Sequence, residues 1–196
     1  MALTGKTIGE LPEITEITSD AEFVVEQSGT TYKIKTPNIS SGNLFGSFYS
    51  TVTQGISGTV DDAYPMSAET VAYSVGVDII DGSKVTVQSG GTYNLQFSAQ
   101  FNKISGSTGA IISVWMRKNG EDVEASRGDI YAGGNLFDAK VLPSWNFVET
   151  LNAGDYLEII WCSTSNLTIL EALDAEAEPL PYKPSLPSVA ITLTQI

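Results

Sequence analysis

Histidine does not occur in this chain, and cysteine occurs once. Without imidazole there is no Ser-His-Asp or Cys-His catalysis, and the usual metal-binding ring is gone. A single thiol forms neither an internal disulfide nor a zinc site. Cys162 closes the run Tyr156-Leu157-Glu158-Ile159-Ile160-Trp161-Cys162, where no basic neighbour in sequence lowers its pKa, so it reads as a small buried hydrophobe. Basic residues are scarce, 10 against 23 acidic, for a net charge of −13 over 196 residues. That balance repels phosphate backbones and anionic headgroups, so nucleic acid and membrane insertion are not expected; the charge itself serves solubility. No apolar run approaches the ~18 residues of a spanning helix. Met1 to Lys6 lacks an apolar h-region, so the chain is expected to be made soluble inside a cell. Helical periodicity is almost missing. Only Leu167 to Ala177 has a helix-favouring content of Leu, Ala and Glu, and its β-rich surroundings and the flanking Glu178-Pro179-Leu180-Pro181 tip that stretch toward strand or strand plus loop.

What is present is alternation. Tyr93, Leu95, Phe97, Ala99 and Phe101 fall on every second position, with Asn94, Gln96, Ser98 and Gln100 between them. This is a strand with one buried face. Asn119-Gly120 follows a second strand as a tight hairpin turn requires, since both residues tolerate positive φ. Further strands are expected near 47–53, 68–79, 84–88, 110–118, 121–125, 144–150, 155–162, 167–173 and 188–195, with the alternating one spanning 92–102. A hydrophobic content of 42% is enough to bury a core among them. Many short strands with turn signals between them point to an all-β sandwich or jelly roll, and no internal repeat suggests a solenoid or propeller.

Two parts are expected, residues 1–43 and 44–196. In the first, Glu22 to Lys35 reads as a small hairpin, with Phe23 and Val25 alternating on one arm, Tyr32 and Ile34 on the other, and a turn near Ser28-Gly29. A lone two-stranded hairpin is marginal in water, so it needs another surface to lie on. Thr36 to Asn43 has the small, polar and chain-breaking residues of a linker. Pro179 to Pro187 reads as a rigid surface loop between the last two strands rather than a polyproline ligand.

The order of signals in the second part resembles the C1q/TNF-like jelly roll. The residues that carry it are Gly91-Thr92-Tyr93-Asn94-Leu95 with Phe97, then Lys118-Asn119-Gly120, then Leu151-Asn152-Ala153-Gly154-Asp155, and a closing strand Ser188-Val189-Ala190-Ile191-Thr192-Leu193. The resemblance covers about three quarters of the chain. It implies a homotrimer of two-sheet subunits. Family trimers pack apolar side chains about their axis, whereas the corresponding face here offers Asn94, Gln96, Ser98 and Gln100. Either amides and hydroxyls line the axis, or this strand does not reach it. Asn94, Gln96, Tyr156, Ile160 and Ile196 are the candidate interface residues.

Residues 1–36 have a resemblance of their own, to the N-terminal attachment segments of bacteriophage tail fibres, head fibres and capsid decoration proteins. It rests on Ile8-Gly9-Glu10-Leu11-Pro12 followed by Phe23 to Ile34. The implied plan is anchor, linker and trimeric β-domain, with Leu11, Ile14, Phe23, Val25, Tyr32 and Ile34 giving buried contacts as residues 1–40 order on the particle.

A pair of carboxylates could serve glycoside hydrolysis, with Asp61, Asp62, Glu121, Asp122, Glu124 and Asp129 as candidates, but each stands in a turn-like or polar stretch where a solvated surface role is the default. Asp61-Asp62 and Gly128 to Asn135 lack calcium-loop spacing, and the latter lacks the setting of a phosphate loop. Asn166-Leu167-Thr168 matches a glycosylation acceptor without a secretion signal. No catalytic or metal residue is assigned, and no cofactor is expected. The reading is a non-enzymatic virion protein, with capsid decoration first. A tail-fibre tip recognising host surface carbohydrate is the alternative, and a carbohydrate-active module is the third class.

Overall fold

Period-2 runs separated by residues that accept positive φ leave the chain little choice but antiparallel hairpins. A computed structural model describes residues 22–35, 44–106, 108–133, 139–178 and 181–196, with backbone alone for 22–27 and 33–35. The chain divides into two units, residues 1–42 and 43–196. In the first, β1 (Glu22–Gln27) pairs with β2 (Thr30–Lys35) across Ser28 and Gly29, at φ 52° and 75°. Two left-handed residues in succession make the turn whose twist suits a hairpin. Leu11, Ile14 and the Thr36–Asn43 linker lie outside the described residues.

The second unit begins with β3 (Phe45–Ser50), β4 (Gln54–Gly55), β5 (Tyr64–Pro65), β6 (Thr70–Val75), β7 (Val77–Ile80) and β8 (Lys84–Val87). It continues through β9 (Gly91–Ala99), β10 (Phe101–Lys103), β11 (Ala110–Lys118), β12 (Glu121–Asp122), β13 (Gly128–Ala132) and β14 (Ala139–Val141). It ends with β15 (Ser144–Leu151), β16 (Tyr156–Ser163), β17 (Thr168–Leu170) and β18 (Val189–Gln195).

A first sheet has the order β15-β9-β18-β3-β6. A second has β12-β11-β16-β8-β7, with β13 also on β11 and β5 also on β16. The first and last strands of the unit are neighbours in the middle of the first sheet. The chain passes repeatedly from one sheet to the other, so this is the antiparallel jelly roll that the order of motifs implies. A smaller third sheet, β14-β10-β17-β4, adds Phe101 and Leu170 to the core.

The inner faces of the two large sheets make that core. Tyr93, Leu95, Phe97 and Ala99 of β9 join Val189, Ile191 and Leu193 of β18 from one side. Ile112, Val114 and Met116 of β11 and Leu157, Ile159 and Trp161 of β16 join from the other. No α-helix occurs among the described residues, and Leu167 to Ala177 is β17 followed by an irregular arm bridged at Leu173–Leu186 and Glu176–Lys183.

Three strand expectations need correction. The run 68–79 is two strands, because Gly76 takes φ 65° and sends β6 into the first sheet and β7 into the second. The run 92–102 breaks at Gln100, whose backbone pairs with Ser188 and Glu171 and so hands the chain from the first sheet to the third. The run 121–125 stops at Asp122, since Ala125 at φ 60° closes a turn, and Gly128–Ala132 beyond it is a strand absent from the expected set.

The Lys-Asn-Gly and Leu-to-Asp motifs meet in space. Asn119 accepts the Tyr156 N–H at 2.9 Å and donates to Asp155 at 2.9 Å, while Asp155 accepts the Asn152 N–H at 2.8 Å. The hydrogen bond from Asn152, then that from Asn119, holds the Asp155 carboxyl below the usual aspartate pKa. A depressed folded-state pKa contributes stability above the unfolded aspartate pKa and loses it as pH falls through the lowered one. Side-chain NMR titration is expected to place Asp155 below an ordinary aspartate, with exchange protection of the Asn152 amide failing over that same acidic range. A midpoint at or above the ordinary value would contradict the clasp.

Candidate functional site

Residues two apart on a strand share a face, so cross-strand register alone lays out the outer side of the first sheet. One row reads Val148, Asn94, Thr194, Phe45, Val75. The next reads Asn146, Gln96, Thr192, Ser47, Tyr73, and the next Ser144, Ser98, Ala190, Tyr49, Thr70. Ile196 extends the face beside Thr92, to whose carbonyl its N–H donates at 3.0 Å. None of these side chains is charged. They mix small hydroxyls and amides with exposed apolar groups, among them Tyr73 at 74% and Ile196 at 69% exposure.

The outer face of the second sheet is the opposite in character. It carries Asp78, Lys84, Arg117, Asp129 and Glu158, whereas the three rows of the first sheet's outer face carry no charged side chain.

The candidate interface residues do not converge. Asn94, Gln96 and Ile196 lie on the uncharged face. Tyr156 and Ile160 lie on β16, on the outer side of the other sheet, because they alternate with core-facing Leu157, Ile159 and Trp161. Ile160 is also fully buried, flanked in register by Trp115 and Pro65. It offers nothing to a partner, which corrects the expectation. Sequence reading missed Phe45, Tyr73, Val75 and Val148. Phe45 lay outside the expected strand, and the undivided run 68–79 hid the face on which Tyr73 and Val75 stand. In the hairpin, Phe23 pairs with Ile34 and Val25 with Tyr32, and Tyr32 is exposed.

No family model matches this chain, and no curated protein matches it. Among solved structures, the crystal structure of murine APRIL at pH 8.5 is similar at 13% identity and a TM-score of 0.47, covering 79% of this chain and all of that one.

Of the six carboxylates weighed for catalysis, Asp61, Asp122, Glu124 and Asp129 line one cavity of about 540 Å³ on the outer side of the second sheet. Asp62 and Glu121 do not. Asp122 accepts the Trp115 indole N–H at 2.8 Å and the Arg117 Nε at 2.9 Å, and these bonds hold its carboxyl below the usual range, the indole first. Asp129 is lowered by Arg127, which grips it at 2.8 and 2.7 Å, and then by the Ser113 hydroxyl at 2.7 Å. Neither environment holds a carboxyl protonated as a general acid requires.

Proposed function

We propose that this chain is a non-enzymatic structural protein of a bacteriophage virion. It assembles as a homotrimer through the outer face of the first sheet and attaches to the particle through residues 1–43. The observation that carries the assembly is the uncharged face. Copies of a chain with net charge −13 repel one another, so they associate through a surface that brings no like charges together. The face combines exposed Phe45, Tyr73, Val75 and Val148 with hydroxyls and amides able to pair across a symmetry axis. The number three and the virion setting come from the resemblances of the two parts, not from the surface. Capsid decoration is preferred to a tail tip, because the short chain has no long shaft between its anchor and its β-domain.

The experiment is light scattering on the full chain and on the substitutions Gln96→Asp and Thr192→Asp. These positions are adjacent in register at the centre of the face, so a trimer brings the new carboxylates into mutual repulsion. The unaltered protein is expected at three times 20.9 kDa and each variant as a folded monomer at micromolar concentration. A monomeric parent, or a trimer that survives both substitutions, overturns the assembly. Mapping copies on particles separates the two attachments, since decoration gives many on the capsid lattice and a tail tip only a few.

A further inference from the structure

We propose that the cavity on the outer side of the second sheet is a binding site for a neutral saccharide. The assembly reading leaves this cavity unused, and the site stands within a single chain. Its floor follows from strand alternation: Ile111, Ser113 and Trp115 are two apart on β11, and Cys162 lies beside Ser113 in register on β16. Asp122 at the end of β12 and the turn from Val123 to Arg127 form one wall. A volume of about 540 Å³ is within the range of small-ligand sites.

The lining selects the ligand class. A sugar ring has an apolar C–H face and an edge of hydroxyls that both donate and accept. The half-buried Trp115 supplies a flat polarisable surface for the first, and its N–H bond to Asp122 fixes the ring. Asp122 and Asp129 supply acceptors for the second, and the guanidinium N–H groups of Arg127 not spent on Asp129 supply donors, the single Ser113 hydroxyl proton being already given to Asp129. Both carboxylates are already matched inside the protein, Asp122 by Arg117 and Asp129 by Arg127, so they do not call for a cationic ligand. Asp61 and Glu124 add uncompensated negative charge to the lining, which disfavours phosphorylated or acidic sugars. A neutral saccharide meets the apolar and hydrogen-bonding features of the lining, and a cationic ligand drawn by Asp61 and Glu124 is the competing occupant that spermidine tests. The two sheets face opposite ways, so a trimer packed through the first leaves three such cavities open, and weak single sites gain avidity.

The test uses the full chain in saturation-transfer NMR against methyl glycosides of glucose, galactose, mannose, N-acetylglucosamine and rhamnose, with glucose 6-phosphate and spermidine as charged probes. At least one neutral glycoside is expected to bind with a Kd of about a millimolar. Trp115→Ala should weaken it roughly tenfold, and Trp115→Phe should retain most of it. Cys162 gives a readout that needs no substitution: it is the only thiol and lines the cavity, so bound sugar should slow its alkylation by iodoacetamide several-fold. The proposal is overturned if no neutral glycoside receives saturation, if spermidine alone binds, or if a sugar binds without protecting Cys162. Light scattering on the same samples reports assembly separately.

Discussion

Phe97→Ala is expected to cost about 3–5 kcal/mol of stability, through lost burial and the cavity left behind. Phe97 is 2% exposed at the centre of β9, opposite Trp145 on one side and Ile191 on the other. Its ring meets Trp145 edge-on at 5.9 Å and stacks with Phe147 at 6.4 Å, contacts that an alanine cannot replace. Domains of this size have roughly 5–15 kcal/mol in hand, so the loss is a large share of the total. At about 2–4 °C per kcal/mol, Tm is expected to fall by roughly 6–20 °C. The neighbouring Gln96 points to the uncharged face, and Gln96→Ala is expected to stay within about 0.5 kcal/mol in the dissociated chain. Denaturant titration of both variants and the parent, at one protein concentration, checks the difference. Equal losses at 96 and 97 would mean that the strand does not present these two residues to opposite sides.

This register was legible in the sequence because a half-buried strand leaves a period-2 trace that few other structures produce. The Asn119-Gly120 turn was legible for a similar reason, as both residues do take left-handed φ, at 52° and 88°. What failed to show was where strands change sheet. Gln100 lies inside a continuous run of strand-forming residues with nothing local to mark where the backbone leaves one partner for another, and Gly76, a lone glycine in such a run, fits a bulge as well as a change of sheet. The short strands β4, β5 and β14 exist only because a neighbour supplies their hydrogen bonds, so they carry little pattern of their own.

The same limit governs the two surfaces. The uncharged face is a property of five strands taken together, and it emerges only once β15, β9, β18, β3 and β6 stand in order. Taken singly, Asn94 and Gln96 are ordinary polar positions. Asp61, Asp122, Glu124 and Asp129 each read as solvated carboxylates, and a span of nearly seventy positions hides the fact that they share a cavity with Trp115. One signal was available: Trp115 alternates with Val114 and Met116, both buried in the core, so an indole had to stand on the outer face of its sheet.

Removing residues 1–43 is expected to leave the jelly roll folded and assembled while abolishing its attachment to particles. Among the described residues, every member of the hydrophobic core cluster lies between Leu44 and Leu193, so the truncated chain keeps that core. The β1–β2 hairpin is two-stranded, and such a ribbon contributes little stability until it lies against another surface. Its value is therefore expected in binding. Ordering a segment on a particle costs conformational entropy, but in the proposed trimer three arms would engage their sites as a multivalent unit once the first is seated. Residues 44–196 should keep the Tm of the full chain and scatter as three copies of the truncated mass. Particles assembled from a genome that encodes the truncated chain should lack it after purification. If the truncated chain remains on particles at full occupancy, attachment belongs to the β-domain, and the uncharged face or the cavity becomes the surface to test for it.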